Sequence, residues 1–201
     1  MPSNERLILA SASTARAALL AGAGLDFTIV PSAFDEDAVK REALRRGDSP
    51  VTCVELLAVA KASAVSRLHP GALVIGADQL LATDTCWFDK PRDLEAARGQ
   101  LRLLRGRTHQ LATAACVVRA GRTLWQAHSL PELTMRDFSD SFVETYVAAE
   151  GDALLGSVGS YRLEGRGVQL FERISGDYFA ILGLPLVELL GFLRDRKVLA
   201  R

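Results

Sequence analysis

Leu73-Val74-Ile75-Gly76-Ala77-Asp78-Gln79 is the stretch on which the reading of this chain turns. An apolar, partly β-branched run passes into Gly-Ala and stops at a carboxylate. A run bounded this way predicts a buried strand with Asp78 where it gives out. The ends of buried strands are where α/β proteins place chemistry, because the backbone is rigid and the side chain faces a cleft. The same spacing also suits an Asp that caps the turn into the next strand.

Outward from that strand, the chain alternates short apolar runs with helical patterns. Leu7–Ala10 reads as a first strand, followed by Ser11-Ala12-Ser13-Thr14 and an Ala/Leu-rich helix ending at Gly24. Strand, hydroxyl-rich turn and helix together suit a phosphate: the helix start offers free N–H groups, the serines add donors, and Arg16 lies one turn in. Ser13 or Thr14 acting only as an N-cap explains the same residues. A second strand spans 26–30. Asp35-Glu36-Asp37 then precedes a polar helix over 38–46, where acids ordinarily complement the helix dipole. The sharper reading points Glu36 at a divalent cation. Pro50 opens a long helix through Arg67, with Lys61 among alanines that would let its amine reach a phosphate.

Downstream, 80–83 and 86–88 read as a hairpin, and Lys90 is extended because Pro91 follows it. Asp93 caps an amphipathic helix with Leu94, Ala97, Leu101 and Leu104 on one face. Strands are expected over 111–118, 123–125 and 130–138, and a helix from Ser139 to Ala149. A glycine-punctuated irregular region runs from Gly156 to Asp177, and Pro185 starts a closing apolar helix. Strand–helix units that give way to hairpins predict one α/β domain over residues 1–201, with a mixed twisted sheet flanked by helices.

Composition narrows the function classes. Of 201 residues, 49% are apolar and 24% charged, which suits a soluble globular protein with a substantial core. The formal net charge is zero, so no global field holds the chain to nucleic acid or an anionic membrane. An anionic ligand needs a local cluster of donors instead. Cys53, Cys86 and Cys116 form no CxxC pair, which points to reduced, buried thiols. The residues before Leu7 with the short run after them are too few for a signal peptide, and no apolar stretch approaches the roughly 18 residues of a membrane span. The expectation is a cytoplasmic protein. There is no G-x-S-x-G, and His69, His109 and His128 are scattered, so a serine-hydrolase triad has no support.

Taken together, several motifs resemble the Maf family of nucleoside triphosphate pyrophosphatases. They are Ser11-Ala12-Ser13-x-x-Arg16, Asp35-Glu36, Lys61, Gly76-Ala77-Asp78-Gln79, Lys90-Pro91, Gly106-Arg107-Thr108-His109, Glu164-Gly165-x-Gly167 and Glu172-Arg173-Ile174-x-Gly176-Asp177-Tyr178 with Gly183-Leu184-Pro185-Leu186. The resemblance runs from Leu7 to about Leu193 and implies a Maf/ITPase-like fold and a homodimer. It also implies cleavage of the α–β phosphoanhydride of a nucleoside triphosphate, with Mg²⁺ or Mn²⁺. By matching positions, Asp78 is the general base and lies near the metal, and Glu36 supports the metal. Ser11, Ser13, Arg16, Lys61 and Lys90 hold the triphosphate. The chemistry fits, because such reactions are positioning and electrostatics and require no covalent nucleophile.

Three positions bear on the base. Ala15 stands where many members have an arginine, while Gln79 and Glu164 match the branch similar to 7-methyl-GTP pyrophosphatases rather than the dTTP/UTP branch. A carboxylate accepts from a guanine edge and favours the positive charge of N7 methylation. A second expectation, of another class, is a nucleotide-binding regulator of septum formation and cell division.

Overall fold

A computed structural model describes residues 5–200; the Met1–Asn4 part of the segment weighed against a signal peptide lies outside them. The elements follow one another as Leu7–Leu9 (β1), Thr14–Gly22 (α1), Phe27–Ile29 (β2), Glu36–Arg46 (α2) and Pro50–Leu68 (α3). Leu73–Ala82 (β3), Trp87–Phe88 (β4), Leu94–Leu104 (α4), Thr108–Arg119 (β5), Arg122–Ser129 (β6) and Glu132–Met135 (β7) come next. Asp140–Glu150 (α5), three short 3₁₀ turns between 151 and 170, Phe171–Ser175 (β8), Tyr178–Ile181 (α6) and Leu186–Asp195 (α7) complete the order.

The strands form a mixed sheet in the order β2-β1-β3-β5-β7-β8, with β4 on β3 and β6 on β5. β1 pairs in parallel with both β2 and β3, matching Leu9 to Ile75, whereas β3–β4, β5–β6, β5–β7 and β7–β8 are antiparallel. The expected α/β class with a mixed sheet is therefore what the chain adopts. Among the described residues no helix is long and apolar enough to cross a membrane.

Residues cluster into two compact units, one of 1–79, 113–129 and 177–201 and the other of 80–112 and 130–176. In the first unit the alternation of β3 separates two faces. Leu73, Ile75 and Ala77 join Leu20, Ala115, Val117, Leu186, Leu189 and Leu193 in a fully apolar cluster. The opposite face carries Gly76 and Asp78 toward α3. A Cβ on Gly76 would sit 2.3 Å from the Ala58 carbonyl oxygen and 2.7 Å from the Ala62 Cβ. Only glycine therefore lets α3 lie this close to β3.

In the second unit, Asp93 caps α4 by accepting from the Ala96 amide, and Ser139 caps α5 by accepting from the Phe142 amide. Arg98 and Arg102 of α4 pair with Glu144 of α5. The buried ring of His109 meets Tyr161 and Phe171, with its Nε2 2.9 Å from the Tyr161 hydroxyl. Burial lowers the His109 pKa from 6.5 to about 4, so its ring is neutral near pH 7.

Several boundaries differ from expectation. β3 does not give out at Asp78 but continues to Ala82, so Asp78 is mid-strand and the 80–88 hairpin is the end of β3 turning into β4. The polar Gln79 is tolerated inside the strand because its amide is hydrogen-bonded. The strand expected over 130–138 is only Glu132–Met135. The region expected to be irregular contains β8 and α6, since β8 gains its extended form by pairing with β7. Cys53 and Cys116 are buried as expected, but Cys86 is exposed in the β3–β4 turn.

Candidate active site

The parallel pairing of β1 with β3 sets the loop after β1 beside the middle of β3, where Asp78 lies. In that loop, Ser13 is the N-cap of α1, its hydroxyl accepting from the Arg16 amide. The Ser13 amide in turn donates to Ser11 Oγ at 3.2 Å. The buried Arg16 side chain folds back: Nη1 donates to Ser11 Oγ at 3.1 Å and Nε to the Gly183 carbonyl at 2.8 Å. The N-cap reading of Ser13 holds, and the same turn leaves Ser11 to orient the Arg16 guanidinium.

α3 presents Lys61 to the carboxylate face of β3. Lys61 Nζ donates to Asp78 Oδ1 at 2.7 Å and lies 2.9 Å from Glu36 Oε1. Lys61 and Asp78 are almost wholly buried, whereas Glu36, at the start of α2, is half-exposed. Asp35 is the residue that caps α2, accepting from the Ala38 amide, which leaves the Glu36 carboxylate to face Lys61. Burial lowers the pKa of Arg16, and the charges of Asp78 and Glu36 oppose that shift. Two cations are therefore matched against two carboxylates in one largely buried cluster. Such a cluster holds its charges only because they compensate one another.

One atom stands out. Asp78 Oδ2 is buried and has no hydrogen-bond partner. Buried carboxylate oxygens ordinarily find donors, so this one is available to a proton, a water or a cation. Among the described residues no three His, Cys, Asp or Glu side chains converge as a cation cage. A hard cation such as Mg²⁺ needs no such cage, because it takes one or two carboxylates and completes its shell with water and phosphate oxygens. Asp78 Oδ2 with the neighbouring Glu36 fits that donor set.

The remaining expected residues lie elsewhere. Ala15 is half-buried in the first turn of α1. Gln79 points to the face opposite Asp78, and its Nε2 donates to Thr113 Oγ1 at 2.9 Å and to the Ala180 and Ile181 carbonyls at 2.9 and 3.0 Å. Lys90 and Glu164 belong to the second unit. Lys90 is exposed just after β4, and exposed Glu164 accepts from Arg162 Nε at 3.4 Å.

Thr113 was not singled out from sequence, and Gly183 was marked only as the start of the Gly183-Leu184-Pro185-Leu186 motif, without the contact its carbonyl makes to Arg16. Thr113 is a polar interruption in the apolar run Leu111–Val118, and that is the one signal that marked it.

A sequence profile described as Maf-like protein matches residues 6–196, almost the whole chain. The chain belongs to the Maf family. Within that family it is similar to the nucleoside triphosphate pyrophosphatase of Granulibacter bethesdensis, 52% identical over 194 residues that span 96% of this chain and 98% of the relative. It is also similar to the 7-methyl-GTP pyrophosphatase of Brucella abortus biovar 1, 47% identical over 192 residues and 96% of each chain. The nucleoside triphosphate pyrophosphatase of Hyphomonas neptunium is 51% identical over 192 residues, covering 95% of this chain and 96% of the relative. The Maf motifs that hold Ser11, Arg16, Glu36, Lys61 and Asp78 are the residues clustered in the first unit.

Proposed function

We propose that this Maf-family protein is a nucleoside triphosphate pyrophosphatase, a hydrolase acting on the α–β phosphoanhydride to give a nucleoside monophosphate and pyrophosphate. The observation that carries the reading is Asp78, with one oxygen held by Lys61 and the other buried and unpartnered. A base must be fixed in direction and able to accept, and this arrangement supplies both. Water attacks the α-phosphorus as its proton passes to Asp78 Oδ2. The bond from the α-phosphorus to the bridging oxygen breaks, and the electron pair leaves with pyrophosphate. Arg16 and Lys61 offset the charge gathering on that leaving group, and the Ser11 hydroxyl and the N-terminus of α1 add donors.

The charge balance of the site supports a divalent cation in the same reading. A triphosphate brings about four negative charges, while the Arg16, Lys61, Asp78 and Glu36 cluster is neutral in sum. Mg²⁺ or Mn²⁺ held by Asp78 and Glu36 would supply charge neutralisation of the phosphate oxygens and lower the pKa of a nearby water.

Base choice we assign to Glu164 and Ala15. A carboxylate at 164 favours 7-methylguanine, in keeping with the name of the Brucella relative. Lys90 enters the proposal as a phosphate contact on the family motif.

The test is pyrophosphate release from 7-methyl-GTP, GTP, dTTP, UTP, CTP and ATP with Mg²⁺ or Mn²⁺. Asp78→Asn is expected to bind nucleotide and release nothing. Full turnover by Asp78→Asn removes Asp78 from the mechanism, and silence of the wild type on every nucleotide rejects the activity. Preference for dTTP or UTP keeps the reaction and discards the role given to Glu164.

A further inference from the structure

Arg16 is a buried cation whose direction is set from outside its own helix. Its Nε donates to the carbonyl of Gly183, a residue at φ 104° whose absent side chain leaves room for the guanidinium; a Cβ there would lie 3.2 Å from Nε. Gly183 follows α6, a single helical turn of four residues. A helix this short has little stability of its own, so the position of its C-terminal carbonyls depends on what holds them.

Two side chains from the sheet hold them. Thr113 Oγ1 donates to the Ala180 carbonyl at 2.9 Å, and Gln79 Nε2 donates to the Ala180 and Ile181 carbonyls. The two are themselves joined, since Gln79 Nε2 also donates to Thr113 Oγ1. Asp177 fixes the other end of α6 by accepting from the Phe179 and Ala180 amides. Thr113 is fully buried in a strand that is otherwise apolar there, so its hydroxyl has no solvent to serve.

We infer that Thr113 and Gln79 are positioning residues for Arg16: by fixing the 180–183 turn on the sheet they place the carbonyl that aims the guanidinium at Ser11 and the phosphate site. This rests on the proposed pyrophosphatase reading, in which Arg16 holds phosphate. It assigns Gln79 a bearing on every nucleotide alike, because its amide nitrogen is engaged inside the first unit. It also assigns a role to Thr113, which none of the family motifs includes.

The experiment is steady-state kinetics of Thr113→Val, Thr113→Ser and Gln79→Met on the full chain with Mg²⁺, over the same nucleotide panel, with thermal melts to establish folding. Thr113→Val should raise KM about tenfold for all nucleotides with kcat within about twofold, and Thr113→Ser should restore KM. In an Arg16→Lys background Thr113→Val should add less than about twofold, since the group it aims is already altered. A folded Thr113→Val with wild-type KM overturns the inference. So does an effect confined to one base, or one that multiplies in full with Arg16→Lys. If Thr113→Val does not fold, Gln79→Met, which removes the donor to the same carbonyls, is read by the same criteria. If the wild type releases no pyrophosphate, the proposed activity fails by itself. The clamp is then judged by calorimetric binding of inorganic tripolyphosphate with Mg²⁺: weaker binding to Thr113→Val supports it and equal binding overturns it.

Discussion

Replacing Lys61 by methionine isolates the buried ion pair between Lys61 and Asp78. Methionine matches the length and apolar stem of lysine, so the packing of α3 on β3 at Gly76 is kept and only the ammonium is lost. Asp78 is then a carboxylate at 6% exposure with neither oxygen paired, facing Glu36 with no cation between them. Breaking a buried pair from one side costs about 3–5 kcal/mol. Glu36 is 42% exposed and turns to water, so it adds little to that figure. At about 2–4 °C per kcal/mol for a chain of this size, the midpoint of thermal unfolding should fall by about 6–20 °C. Asp78→Asn should behave differently, because Lys61 keeps Glu36 as its counter-charge and the asparagine carbonyl can still accept. Its cost should be about 1–2 kcal/mol. Urea and thermal unfolding followed by circular dichroism measure both. A Lys61→Met variant as stable as Asp78→Asn would refute the argument that Lys61 is the partner Asp78 needs in the interior.

Three further outcomes follow from the same geometry. His109 is held neutral by burial with a pKa of about 4, below its unfolded value of about 6.5, so its contribution is intact above pH 6.5 and is lost as pH falls toward 4. The loss should approach about 3 kcal/mol, and His109→Phe should flatten stability across that window in pH-dependent urea titrations, an unchanged slope counting against the assignment. Gly76→Ala should destabilise by about 2–3 kcal/mol and reduce kcat, because the obstructing Ala58 carbonyl is backbone and α3 must move, carrying Lys61 with it. A crystal structure of that variant with α3 unshifted would contradict this. Glu164→Gln should lower kcat/KM for 7-methyl-GTP relative to dTTP and leave stability unchanged, since Glu164 is exposed and its bond to Arg162 is long.

Local chemistry was the legible part of this fold. Ser13, Asp93 and Ser139 all cap the helices that follow them, as their types and positions indicate. The mixed character of the sheet also follows from the change from strand–helix units to hairpins. What was illegible depends on partners far along the chain. The apolar run looked as if it ended at Asp78, yet the amide of the next polar residue, Gln79, is met by Thr113 and by carbonyls about a hundred residues later, so β3 continues past both. Phe171–Ser175 carries Glu172 and Arg173 on a mostly exposed strand, and its extended form comes from the register with β7. That Ser11 and Arg16, and Glu36, Lys61 and Asp78, would converge in one cluster was suggested by their motifs. The sharing of Lys61 between two acids was not, because it needs the distances among α2, α3 and β3.

That sharing has a consequence for turnover. On the proposed reading, a phosphate that recruits Lys61 must compete for its three N–H donors with the two carboxylates already in contact with it. A highly charged phosphate chain accompanied by a cation can do so, but a single phosphoryl group offers little more than the acids it would displace. Once hydrolysis splits the chain, on the same reading, Glu36 and Asp78 stand ready to reclaim the ammonium, and the ion pairs of the resting protein would help to clear the site. It also predicts that free orthophosphate competes weakly with substrate, which inhibition of pyrophosphate release by added phosphate measures.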